Sequence, residues 1–296
     1  MQNGIKHVRR GITLALLVGV LPFFFIAGAQ AQETETPAES APVKKDAAYY
    51  FDEYKQPVGL MYAVEASINT AYMWRGISVG GLNIQPYAKV GYGGLYVDMW
   101  WNIGATDWYF RQFLPELDLQ IGFNRWGINA SVMFIHNFNC RFFDFSNHPD
   151  GGNALEARLR YTVSSKLPLS FLWATRIGAS DGYLNAAGDT IRAYSSYAEI
   201  SYTQALPYGL SLYGAIGITP WKSFYTGYQG DFAVQNIEIR LRKDWTASER
   251  CGLMIQGVLS INPTALANDP TTAHWTPADV SRQSINANLA FGFYLK

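Results

Sequence analysis

The chain has 296 residues with 23 basic and 23 acidic side chains, so it is formally neutral, and only 16% of its residues are charged against roughly 25% in an ordinary soluble domain. Its 15% aromatic content excludes a disordered chain, and the balance of charge argues against a nucleic-acid binder, which needs a basic excess to neutralise phosphates. A helical membrane protein is disfavoured too, because the one apolar run long enough to span stands at the N-terminus.

That run belongs to a segment, residues 1–31, that reads as a secretory signal peptide. Lys6, Arg9 and Arg10 supply the basic start, Ile12 to Ala27 the apolar stretch, and Ala29-Gln30-Ala31 a small-x-small cleavage site. A retained transmembrane anchor is the alternative, but Pro22 interrupts the run and a good cleavage site follows it. No Cys follows the site to carry a lipid, and cleavage leaves three more acidic than basic side chains. Residues 32–57, rich in Glu, Thr, Pro, Ala and Lys, read as a flexible periplasmic N-terminal tail. The two cysteines, Cys140 and Cys251, imply no disulfide framework in a domain of this size.

From residue 58 to residue 296 the polarity alternates with a period of two. About a dozen runs of roughly 9–11 residues fit tilted strands that cross a bilayer. They lie near 61–73, 84–92, 94–104, 116–123, 128–138, 155–163, 169–178, 193–203, 209–218, 232–243, 252–261 and 285–295. In the third run Leu95, Val97 and Met99 oppose Tyr96, Asp98 and Asn102; in the sixth, Leu155, Leu159 and Tyr161 oppose Glu156, Arg158 and Arg160. Between Val234 and Ile237 the parity slips, which predicts a bulge near Gln235.

A soluble barrel or sandwich turns its apolar face inward, and a membrane barrel turns it towards lipid. Two features favour the second. Charges of both signs keep to the polar face: Glu65, Lys89, Asp98, Glu116, Asp118, Arg158, Arg160, Arg176, Glu199, Glu238, Arg240 and Arg242. Short connections, as at Gly93-Gly94 and Asn124 to Gly127, alternate with long ones, as at 139–153 and 262–282. The expected fold is therefore all-β, a transmembrane antiparallel up-and-down barrel of about 12 strands in an outer membrane. Tyr72, Trp74, Tyr92, Trp100, Trp101, Phe138 and Tyr202 stand where apolar runs end and are expected to form a girdle at the lipid boundary.

The stretch from Glu65 through Tyr72, Trp74, Arg75, Gly76, Ile77 and Ser78 resembles the first strand and first loop of the TorF-like porin family, outer-membrane proteins of Gram-negative bacteria marked by an aromatic-Arg-Gly-Ile-Ser motif. Gly91 to Trp101 is similar to that family's second hairpin, and Leu117 to Phe123 to its fourth strand. The likeness covers about the first third of the barrel. It implies passive solute passage with no assigned substrate. The chain departs from the usual aromatic ending, because Lys296 follows Leu295.

Other chemistry finds little purchase. An outer-membrane hydrolase needs Ser, His and an orienting group within hydrogen-bond reach; after His136 the nucleophile's slot holds Phe138, and Ser146-Asn147-His148 lies in a loop. His274 is the remaining histidine after residue 31. Asp144, His148 and Asp150 match no fixed metal-ligand spacing, so neither metal, cofactor nor catalytic residues are expected. The expected partners are outer-membrane lipid, lipopolysaccharide and small polar solutes. Acidic Asp98, Glu116 and Asp118 would face Arg240 and Arg242 across the lumen, with Arg158, Arg160 and Arg176 as a second basic region, a transverse field that orients polar solutes. The same charges could instead pair and plug the lumen, giving a structural or ligand-binding barrel.

Overall fold

A computed structural model describes residues 60–104, 115–138, 140–147, 152–228, 230–248, 251–264 and 285–295. The signal peptide 1–31, the tail 32–57, His148, Asp150 and His274 lie outside the described residues. Twelve long strands follow one another: β1 (Leu60–Asn69), β2 (Asn83–Tyr92), β3 (Leu95–Gly104), β4 (Glu116–Arg125), β5 (Ile128–Asn137), β6 (Ala154–Thr162), β7 (Leu169–Ala179), β8 (Ser196–Leu206), β9 (Leu210–Thr219), β10 (Ala233–Thr246), β11 (Cys251–Ile261) and β12 (Ile285–Leu295). Each pairs antiparallel with its chain neighbours, and β1 pairs with both β2 and β12, so the sheet closes into an up-and-down barrel.

The short connections fix the register. Gly93-Gly94 joins Tyr92 to Leu95 and Trp126-Gly127 joins Arg125 to Ile128, each as two residues of positive φ, the handedness that matches strand twist. The bulge lies where parity slips: Gly217 pairs with Asn236 and Ile218 with Val234, which leaves Gln235 unpaired. Cys251 opens β11 at the short-turn end and Cys140 follows β5 at the other, and both are free thiols.

The sheet is inside out by the standard of a soluble protein. Ile121 (61%), Leu159 (52%) and Ile239 (55%) are exposed on the outer wall, whereas Glu65, Ser131, Ser201 and Gln256 are buried inside. An apolar exterior on a sheet with no free edge suits hydrocarbon, where every backbone amide must find its partner within the protein.

The first strand is shorter than its alternation suggested. It ends at Asn69, because Ala71 donates its N–H to Asn288 Oδ1 (3.1 Å) and the chain leaves the sheet. Tyr72–Trp74 and Ile77–Gly80 then pair as a separate small hairpin. A second small pair, Gly182–Leu184 with Thr190–Arg192, lies in the connection between β7 and β8.

The two faces of β6 give a direct test. Leu159 faces outward and Arg160 lines the interior, and a cation at the bilayer midplane costs about 2–4 kcal/mol. Leu159→Arg is therefore expected to reduce the heat-modifiable folded band in outer-membrane fractions far more than Arg160→Leu. Equal losses would mean the faces are reversed.

Candidate functional site

The small hairpin folds back into the barrel. Its turn is Trp74-Arg75-Gly76-Ile77, with Trp74 paired to Ile77 and positive φ at Arg75 (50°) and Gly76 (80°), as a type I′ turn requires. Gly76 is seated on the β10 bulge. A Cβ there would stand 2.1 Å from the carbonyl oxygen of Gln235, so only glycine fits. The Gly76 carbonyl accepts hydrogen bonds from Asn262 Nδ2 and Asn286 Nδ2, both at 3.3 Å.

Arg75 carries a side chain in a left-handed conformation that costs about 1–2 kcal/mol. Its guanidinium accounts for the choice. Nη1 and Nη2 donate to Glu156 Oε2 (2.6 Å) and Oε1 (2.8 Å), a fork that only arginine supplies. Glu156, on β6, is 0% exposed and also accepts from Arg158 Nε at 2.6 Å. Trp74 and Tyr197 lie against the guanidinium, each with its ring centroid 4.7 Å away. Tyr225, from a 3-10 turn at Phe224–Thr226, accepts from Arg75 and donates to Glu156 Oε2 at 3.3 Å. Burial pushes its phenol up to about 12, so it stays protonated and keeps that donor.

The rest of the hairpin braces against other walls. Tyr72 donates to Glu116 Oε1 (2.6 Å) and its ring centroid lies 5.1 Å from that of Trp100. Trp74 packs on Met133, Ile135 and Ala154, and Ile77 on Tyr197 and Tyr225. Tyr72 to Arg75 also borders a cavity of about 400 Å³ whose lining reaches Asn124 and Asn129, the residues flanking the β4–β5 turn.

Of the charged residues expected on the wet face, Glu65, Lys89, Asp98, Asp118, Arg158, Arg160, Glu199, Glu238 and Arg240 line this cavity. Glu116, Arg176 and Arg242 do not. Glu116 is engaged by Tyr72. Arg176 is drawn aside, its guanidinium 3.9 Å from the centroid of the Phe224 ring. Arg242 pairs with Asp244 (3.0 Å) and Glu65 (3.5 Å). The acidic and basic walls do face one another, since β10 stands six strands from β4. The girdle holds only in part. Tyr92, Phe138 and Tyr202 are exposed, while Tyr72, Trp74 and Trp100 border the interior cavity. Tyr197 and Tyr225, which no pattern marks, complete the hairpin's seat with Glu156, which the alternation places only on the polar face. The one available signal was Glu156 itself, an acid on the same face as Arg158.

His136 is covered by Phe138 and Phe142, and its Nδ1 lies 2.7 Å from Asn153 Oδ1. Cys140 donates its thiol to Asn137 O and Asn153 Oδ1, both at 3.0 Å, and burial pushes that thiol up, away from the reactive thiolate. Asn153 also donates to the carbonyls of Arg141, Phe142 and Asp144. The group thus serves to order the loop after β5.

No family model matches the chain, and no curated protein matches it. A crystal structure of an outer-membrane channel from Pseudomonas putida F1 aligns with it at a TM-score of 0.43 and 9% identity, over 82% of this chain and 97% of that one. The TorF-like resemblance rests on its motif residues alone.

Removing one member of a buried ion pair commonly costs about 3–5 kcal/mol. Arg75→Ala leaves Glu156 with Arg158, so a loss near 3 kcal/mol is expected, read as a lower urea midpoint for the barrel in lipid vesicles. Arg75→Lys should fall between, keeping the charge without the fork. An unchanged midpoint in Arg75→Ala would mean that the pair does not hold the hairpin.

Proposed function

We propose that this chain forms a constricted outer-membrane channel for small hydrophilic solutes. The supporting observation is an inside-out closed barrel whose interior holds a polar, charged cavity of about 400 Å³ bordered by an inward hairpin. Apolar exterior and charged interior suit a barrel placed in lipid with a wet lumen. The reading of residues 1–31 as an export signal and the TorF-like motif at Tyr72 to Ser78 agree with an outer-membrane location and passive passage. In this reading the hairpin is the constriction, and the opposed charges bias what passes.

A second reading is a plugged barrel that is structural or binds a ligand. The hairpin's contacts with β4, β6, β8 and β10, together with Asn262 and Asn286, favour it. Hydrolysis has less support, because His136 and Cys140 are tied to Asn153.

Planar-bilayer recording separates the first two. The wild type is expected to carry a small current, and a variant with residues 72–80 replaced by a Gly-Ser linker a larger one. No current from either protein would end the channel reading in favour of the plugged barrel. The basic wall makes a second prediction. Arg240 is bonded to Glu238, and Arg242 to Glu65 and Asp244. Replacing both arginines with Gln leaves these acids unneutralised, so permeability should move towards cations, more so at low salt where screening is weak. Unchanged reversal potentials at low ionic strength would place these residues off the path.

A further inference from the structure

We propose that the cavity beside the hairpin is a binding site for a small organic cation, a protonated or quaternary amine. This rests on the channel reading and gives it a solute class. Three strands build the recognising wall. Tyr87 on β2, Trp100 on β3 and Asp118 on β4 are register partners, and Asp98 lies one step along β3 beside Gln120. Tyr72 of the hairpin packs against Trp100. All of these border the cavity.

The acids on this wall are not spent on one another's neighbours. Among the described residues no ion pair reaches Asp98, Glu116 or Asp118. Asp118 Oδ1 is buried without a hydrogen-bond partner. Asp98 Oδ2 receives only two long contacts, from Tyr87 and Gln120, both at 3.4 Å. Glu116 accepts from a tyrosine hydroxyl and is likewise in no ion pair among the described residues. Further along β4, Asn124 is 8% exposed, lines the same cavity and has an unpartnered side-chain oxygen. Adjacent carboxylates repel, and a buried acceptor without a donor is costly.

The resident cations are largely committed elsewhere. Arg75 and Arg158 share Glu156, and Arg158 reaches over only to Gln120 Oε1 at 3.3 Å. Arg240 is held by Glu238. Lys89, register partner of Asp98, has its ammonium 3.7 Å from the centroid of the Tyr96 ring. Arg160 borders the cavity on β6 opposite Asn129, near the Asn124 end of β4 and away from the register level of Asp118. What the β2–β4 wall offers is carboxylate oxygens beside three aromatic rings, the surroundings that attract an alkylammonium both by charge and by ring quadrupole. On this wall a free anion would meet Asp98 and Asp118.

Isothermal titration of the folded barrel in detergent tests this with four small probes: choline, glycine betaine, acetate and arabinose. Choline is expected to bind at least tenfold more tightly than arabinose and than glycine betaine, whose carboxylate meets the acidic wall. Asp118→Asn and Asp98→Asn should each lose at least threefold for choline and nothing for arabinose. Equal binding of choline and arabinose, a preference for acetate, or unchanged choline affinity in both variants would overturn the proposal. Should Asp118→Asn fail to fold, Asp98→Asn and the wild-type preference still decide. Binding is read here without conduction. A barrel that prefers choline but passes no current refutes the channel alone, and one that conducts without preferring choline refutes only the cation site.

Discussion

A sheet in hydrocarbon cannot leave a backbone amide unpaired, and it meets that demand only by closing on itself. Pairing of β1 with β12 is the contact that does so. Closure sets the other terms of the structure. Once no edge remains, side chains alternate between the outer face and the lumen, and the lumen must be filled or wetted. Twelve strands enclose more than side chains of ordinary length can fill. Polar residues on all walls then need partners across a gap, or water, or an inserted segment.

The inserted segment here is the hairpin Tyr72–Gly80. Its placement depends on two local features made by distant parts of the chain. The bulge at Gln235 opens a place on β10 where a backbone without a side chain can approach, and Gly76 takes it. One residue earlier, Arg75 reaches a carboxylate that is wholly buried. Neither ion would persist alone in that position, since the desolvation cost exceeds what a poorly aligned partner returns. The two-pronged geometry, a second guanidinium from Arg158 and the aromatic faces of Trp74 and Tyr197 together offset it. The left-handed backbone at Arg75 is thus over-determined by its surroundings, the condition under which such strain persists.

Luminal charge divides into committed and uncommitted parts. Guanidinium groups on β6 and β10 are matched within their own walls, Arg158 by Glu156 and Arg240 by Glu238. Carboxylates on β3 and β4 are in no ion pair among the described residues. Formal neutrality of the whole chain therefore conceals a cavity with one ion-paired wall and one wall whose carboxylates are in no ion pair among the described residues. That asymmetry, more than net charge, sets the electrostatics of the cavity at short range, because at these distances screening by salt is weak.

Much of this architecture was legible along the chain. Period-two alternation grouped strand residues by face, and the slip at Val234 to Ile237 located the bulge, because parity decides which residues share a face. The motif residues Tyr72 to Ser78 were visible as a unit, yet their place was not. A segment that leaves the sheet obeys no parity, so Tyr72 and Trp74, read as membrane-boundary aromatics, turned inward with Trp100. Arg176 kept its expected strand but was drawn to Phe224. The pairing of Arg75 with Glu156 spans 81 positions and depends on which walls a closed ring of twelve strands brings within reach. The sequence by itself determined which residues of a strand share a face, since that needs only the pleat. Tertiary structure alone decided which luminal groups meet, since that depends on closure, on strand stagger and on a loop that folds back inside.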